Sequence, residues 1–132
     1  MIKLDKNITM DIFKAARTGD LNALAACIQS GESINAQDAK GLTPLMWAVD
    51  MGRPLVVKYL VGAKANLDLV DSFGQTALIL AAGRNDLTSL HVLIAAKANL
   101  NIKMVTGVSA LTVALENKHS EAAALLKKVG AK

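Results

Sequence analysis

The chain repeats itself every 33 residues. Asp38 recurs as Asp71, Gly41 as Gly74, Thr43 as Thr76, Leu45 as Leu78 and Ala48 as Ala81. Further along, Leu60 recurs as Leu93, and Ala63-Lys64-Ala65-Asn66-Leu67 returns as Ala96-Lys97-Ala98-Asn99-Leu100. Segments 38–70 and 71–103 share 11 identities in 33 paired positions. Positions separated by multiples of 33 form a column, and several columns extend over most of the chain. Gly107, Ser109, Leu111, Ala114, Leu126 and Ala131 carry them forward; Ile12, Ala15, Gly19, Ile28 and Asn35 carry them back. The expected organisation is a single domain, 1–132, of four units at roughly 5–37, 38–70, 71–103 and 104–132. A fixed period between about 20 and 50 residues implies stacked supersecondary units rather than one conventional core.

Local chemistry predicts the same plan for each unit. Gly41-Leu42-Thr43-Pro44 is a turn followed by a helix start, with Thr43 as N-cap and Pro44 at the first helical position. A first helix over Leu45 to Asp50 stops near Gly52, and Arg53-Pro54 opens a second over Leu55 to Ala63. Asn66-Leu67-Asp68 then leads into an extended loop that ends at the next unit's Asp71 and Gly74. In the third unit Asn85-Asp86 offers a side-chain cap in place of Gly52-Arg53. Helices this short are unstable alone, because nucleation costs more than their few hydrogen bonds return. Their stability has to come from apolar faces buried between neighbouring units. The composition agrees: 52% of residues are hydrophobic but only 3% aromatic, which suits closely packed helices of Ala, Leu, Val and Ile.

Asp38-x-x-Gly41-x-Thr43-Pro44-Leu45 and Asp71-x-x-Gly74-x-Thr76-Ala77-Leu78 resemble the opening signature of the ankyrin repeat. The 33-residue period and the closing Ala-Asn-Leu-Asp/Asn stretch extend the resemblance over nearly the whole chain. It implies an all-α solenoid of stacked helix-turn-helix units joined by β-turn finger loops. Two columns depart from the family pattern. The histidine usual after Pro-Leu is replaced by Met46, Ile79 and Thr112, and the glycine that closes the second helix is replaced by Lys64 and Lys97. If the loop keeps its family shape, each lysine is left-handed at a cost of about 1 kcal/mol.

The end units are less regular, as terminal units of a stack should be. The first substitutes Thr9-Met10-Asp11-Ile12 for the usual opening, with Thr9 expected as N-cap and Asp11 in the first turn. The fourth starts at Met104 in place of Asp, and its last helix, Ser120 to Val129, carries Lys127 and Lys128 in its final turn. Together with Lys132 these lysines supply a polar outer surface.

Motifs for chemistry are missing from this pattern. His91 and His119 have no Cys, Asp or Glu at metal-ligand spacing, so no metal site, cofactor or catalytic residue is expected. Cys27 shares a column with Leu60, Leu93 and Leu126 and reads as a small buried apolar residue. A single cysteine excludes an internal disulfide framework. No phosphate loop or nucleophile elbow occurs, and the glycines sit at repeat turns. Fifteen Lys and Arg against 11 Asp and Glu give a charge of +4, too dilute for a nucleic-acid footprint, and stacking aromatics are scarce. Lys64 and Lys97, with Lys127 or Lys128, read as solvated turn residues rather than as a binding ridge. Residues 1–7 have no signal-peptide character and no apolar run reaches the roughly 18 residues of a spanning helix. The chain is expected to be cytoplasmic, or periplasmic or secreted if a signal peptide has been removed.

The ankyrin resemblance further implies that loop tips and first helices line one concave surface that grips another protein. By register the tips are Ala39, Lys40 and Leu42, then Ser72, Phe73 and Gln75, then Val105, Thr106 and Val108. The ends of the first helices give Arg17 and Thr18, Asp50 and Met51, Gly83 and Arg84, and Glu116 and Asn117. Trp47 shares a column with Lys14, Leu80 and Val113 on the same face. Arg17, Leu42, Trp47, Asp50, Met51, Phe73, Gln75, Arg84, Val108, Glu116 and Asn117 are the expected protein-binding residues. Leu42, Met51, Phe73, Val105 and Val108 are expected to be exposed although apolar, and Trp, Met, Phe and Arg are enriched at interface cores. The expected function is a monomeric, non-catalytic binding module that inhibits, protects or regulates a protein partner, such as an enzyme. Such a surface suffices for a standard interface of roughly 800 Å² per partner. The alternative is a scaffold that bridges two partners or self-associates.

Overall fold

The computed structural model describes residues 11–132. Within them lie eight helices and no strand. They run in pairs: α1 (Ile12–Thr18) and α2 (Leu21–Gln29), α3 (Pro44–Asp50) and α4 (Pro54–Gly62), α5 (Ala77–Gly83) and α6 (Leu87–Ala95), α7 (Ala110–Glu116) and α8 (Ser120–Lys128). The partners in each pair pack together, and the pairs stack: α1, α3, α5 and α7 form one row, α2, α4, α6 and α8 the other. The architecture is an all-α solenoid.

The core follows the columns. Ala15, Ala48, Ala81 and Ala114 are fully buried, and these small side chains let successive first helices approach closely. Leu24, Val57, Leu90 and Ala123 form a second buried column, and Cys27, Leu60, Leu93 and Leu126 a third. Burial, reinforced by the carboxylate of Glu32, pushes the Cys27 thiol up to about 11, in keeping with the apolar role of its column.

The first helices share one starting device. Thr43, Thr76 and Ser109 are buried N-caps whose hydroxyl oxygens accept from the amides of Met46 at 3.1 Å, Ile79 at 3.2 Å and Thr112 at 3.4 Å. Thr9, expected to cap the first helix, lies outside the described residues. The cap there is Asp11, whose Oδ1 accepts from the Lys14 amide at 2.7 Å; it stands before the helix rather than in its first turn.

The second helices use two devices in alternation. Asp20 and Asp86 cap α2 and α6, accepting from the amides of Ala23 at 3.0 Å and Ser89 at 3.1 Å. Arg53 and His119, in the same column, leave α4 and α8 without a side-chain cap and reach back to the preceding unit. Arg53 Nε donates to the Arg17 carbonyl at 2.7 Å, and His119 Nδ1 lies 3.0 Å from the Ala82 carbonyl. A carbonyl can only accept, so this His119 nitrogen carries the proton. His119 is thereby a structural tie between units.

Between the pairs run finger loops closed by backbone hydrogen bonds, Asp38 N to Leu42 O at 3.0 Å, Asp71 N to Gln75 O at 3.0 Å and Met104 N to Val108 O at 2.8 Å. Adjacent fingers join through Ser72 N to Lys40 O at 2.9 Å and Val105 N to Phe73 O at 3.1 Å. This approach requires glycine. A β-carbon on Gly41 would stand 2.9 Å from Asp71 Cα, and one on Gly74 2.9 Å from Val105 N.

Lys64 and Lys97 are left-handed, with φ of 69° and 70°, as the family loop shape requires. Asn85 and Lys118 are left-handed too, at 54° and 60°, in the column of Gly19 and Gly52.

Candidate interaction face

The fingers and first helices meet on one side of the stack. Between the last two fingers, α5 and α7 lies a cleft of about 430 Å³. Gln75, Arg84, Val108, Glu116 and Asn117 line it, so five of the residues expected by register come together. Its apolar wall is Ile79, Leu80, Met104 and Val113.

Met104 was missing from that set, although its signal was in the sequence: it replaces the Asp of the finger column. Where Asp is present it organises the loop. Asp38 Oδ1 accepts from the amides of Lys40 at 3.0 Å and Leu42 at 2.9 Å, and Asp71 Oδ1 from those of Phe73 and Gln75, both at 2.9 Å. Met104 cannot do this, but its finger keeps the backbone closure and the cleft gains an apolar side chain.

Trp47 is half-buried and held on both sides. Its Nε1 donates to Asp38 Oδ2 at 2.8 Å, and the Arg17 guanidinium lies 5.1 Å from the ring centroid. Burial raises the Asp38 carboxyl's pKa, but hydrogen bonds from the Trp47 indole and from the Leu42 and Lys40 amides outweigh it, and the net shift is below the ordinary 3.8.

Other expected residues divide by exposure. Phe73 is 59% exposed, Val105 76% and Met51 45%, as expected of apolar side chains offered outward. Leu42 and Val108 depart from the expectation: both are half-buried. Leu42 packs on the core, because the Asp38 carboxylate ties its amide and folds the finger over it. Val108 sits in the cleft wall. Gln75 is turned back by its own finger, Nε2 donating to Asp71 Oδ2 at 3.1 Å. Arg84 and Asp50 face each other at 4.0 Å with their side chains 46% and 43% exposed, a pairing too solvated to contribute much stability. Asn117 Nδ2 reaches the Gly83 carbonyl at 3.5 Å, and Glu116 is exposed beside it.

Chemically the face offers an apolar floor, amides and one charge of each sign at the cleft rim. Among the described residues no group of three or more His, Cys, Asp or Glu is placed to hold a metal ion, and no helix is long and apolar enough to cross a membrane.

Fold and site together define a repeat solenoid whose fingers and first helices share one face. The chain belongs to the ankyrin repeat family: the family model for ankyrin repeats (3 copies) matches residues 4–71 and again 56–132. It is similar to acyl-CoA-binding domain-containing protein 1 of Arabidopsis thaliana, 40% identical over 62 residues, which cover 46% of this chain and 18% of that protein. It is also similar to ankyrin repeat family A protein 2 of Homo sapiens, 33% identical over 76 residues, 58% of this chain and 24% of the relative. With ankyrin repeat domain-containing protein SAT10 of Stachybotrys chartarum it is 39% identical over 67 residues, 51% of this chain and 4% of that one. The matched stretch spans less than a quarter of each of these relatives. Ankyrin repeats are generally protein-binding modules and typically not catalysts.

Proposed function

We propose that this chain acts as a single binding domain, with units of about 5–37, 38–70, 71–103 and 104–132, that holds a protein partner on its finger-and-first-helix face and regulates it by covering its surface. The observation that carries this reading is the exposure of Phe73, 59%, on the finger whose Gln75 lines the 430 Å³ cleft. A phenylalanine at a loop tip gains nothing from solvent, whereas inserted in a partner it supplies the kind of desolvated anchor that dominates interface energetics. Arg17, Trp47, Asp50, Met51 and Arg84 extend the contact along the first helices, and Leu42, Val108, Glu116 and Asn117 frame it. No cofactor or metal enters this mode of action.

The test is affinity capture with the wild-type chain beside a Met51→Ala, Phe73→Ala, Arg84→Ala variant and an outer-face control, Lys58→Ala with His91→Ala. One protein should be retained by wild type and control at one-to-one stoichiometry and lost by the triple variant. Its activity, assayed with and without added chain, then reports whether covering it inhibits. Equal capture by all three proteins would refute the face.

A further inference from the structure

Arg17 is fixed in position by contacts that do not neutralise it. Its carbonyl accepts from Arg53 Nε at 2.7 Å, and its guanidinium lies 5.1 Å from the centroid of the Trp47 ring. That ring is itself anchored, Nε1 donating to Asp38 Oδ2 at 2.8 Å. An arginine stacked on an aromatic ring keeps its planar fork of donors available for a carboxylate. Among the described residues no carboxylate is paired with it, and the ion pair on this face joins Arg84 to Asp50 at 4.0 Å. The nearby acids serve as backbone acceptors instead: Asp38 Oδ1 takes the Lys40 and Leu42 amides, and Asp11 Oδ1 the Lys14 amide. Lys14 stands one turn before Arg17 on the same side of α1 and adds a second positive charge.

At the other end of the face the charge is reversed. Glu116 is exposed on the rim of the cleft whose apolar wall is Ile79, Leu80, Met104 and Val113. The face is therefore positive over α1, neutral in the middle where Asp50 and Arg84 meet, and apolar with a negative rim at α7.

We propose that the partner contributes an extended, charge-asymmetric peptide segment, with an Asp or Glu carboxylate on the Arg17 guanidinium and an apolar side chain in the 430 Å³ cleft. This rests on the binding face proposed above and specifies what that face holds. Packed helices lie about 8–10 Å apart, so the two steps from the α1–α3 boundary to the α5–α7 boundary span roughly 18 Å. Extended chain advances about 3.3 Å per residue, which separates the acidic and apolar residues by about five or six positions. Beyond the apolar residue Glu116 repels a further acid and favours Lys or Arg.

Random dodecapeptides displayed on phage and selected on the wild-type chain test this. The selected sequences should share an Asp or Glu about five or six positions from a Leu, Met, Ile or Phe. In fluorescence polarisation, changing that acid to its amide should weaken the best peptide about tenfold, the scale of a hydrogen bond to a charged group. This change reads the wild-type chain and needs no variant to fold. Arg17→Gln, with its helical circular dichroism unchanged, should weaken the same peptide equally, and both changes together should cost no more than either alone. The proposal is overturned by selected peptides without the acid, by an acid at no fixed distance from the apolar residue, or by no selection above an empty support. Losses that multiply when Arg17→Gln meets the amide peptide overturn it too. The capture test above fails separately, since it alters Met51, Phe73 and Arg84 and reads a whole protein.

Discussion

The side-chain oxygen of Asn35 accepts a hydrogen bond from the backbone amide of Asn66 at 2.7 Å, 31 residues further along the chain. The bond recurs one unit on, from the Asn99 amide to Asp68 Oδ1 at 2.9 Å, and again from the Lys132 amide to Asn101 Oδ1 at 2.9 Å. A polar ladder thus ties each unit to the next, in addition to the fingers' own backbone bonds. Asn35→Ala should cost about 1 kcal/mol in urea unfolding, the usual net value of one hydrogen bond. Asp68→Asn, which keeps an acceptor oxygen, should cost much less.

Asp38 makes stability depend on acid. Its folded-state pKa lies below the ordinary 3.8, so the unfolded chain binds its proton more readily. The resulting stabilisation is fully present above the unfolded value and disappears as pH falls through the lower folded one. Thermal midpoints followed by Trp47 fluorescence should therefore lose this contribution only below about pH 4. Asp38→Asn should remove part of the acid dependence, and Asp38→Ala should cost roughly 2–3 kcal/mol at neutral pH by leaving the indole and two amides without their charged acceptor.

Three finger glycines should respond unequally to alanine. Gly41, Gly74 and Gly107 all have positive φ, 82°, 80° and 84°, so each substitution strains the backbone by about 1 kcal/mol or more. At Gly41 and Gly74 the new β-carbon also meets the next finger's backbone at 2.9 Å, while at Gly107 nothing lies within 4 Å. The denaturation midpoint should drop clearly further for Gly41→Ala and Gly74→Ala than for Gly107→Ala. Equal losses would show that the fingers can separate without cost.

Lys64 and Lys97 reverse that logic. Both occupy left-handed backbone, at 69° and 70°, where glycine is relaxed. Lys64→Gly and Lys97→Gly should each stabilise the chain by up to about 1 kcal/mol, the relief being partly offset by glycine's greater freedom when unfolded. Urea midpoints with unchanged slopes would measure the gain.

Much of the helix-level plan can be read in these residues because the signals are short-range. Thr43, Thr76 and Asp86 announce helix starts through a side chain that bonds three residues ahead, and the left-handed lysines stand where the repeat column holds Gly31 and Gly130. Lys118 and Asn85 were legible by the same rule, since Gly19 and Gly52 share their column, and asparagine is itself among the side chains that adopt positive φ most readily, whereas lysine is not. The site was legible as a set of columns. Its exposed members, Phe73, Met51 and Val105, could be assigned because a finger tip and a helix end have no neighbour to cover them.

The resemblance to ankyrin repeats implied the face shared by fingers and first helices; the sequence by itself determined the period, the two-helix unit and most of the caps. Each depends on spacing along the chain or on a bond spanning three or four residues. Only the tertiary structure decided that Leu42 and Val108 turn inward, that Trp47 is clamped between Asp38 and Arg17, and that Asn35 reaches Asn66. The Arg17–Trp47 and Asn35–Asn66 contacts depend on how far one unit is translated and rotated against the next. That displacement is set by the combined packing of two helix rows, from the alanine column to the leucine column, and no single stretch of the chain encodes it.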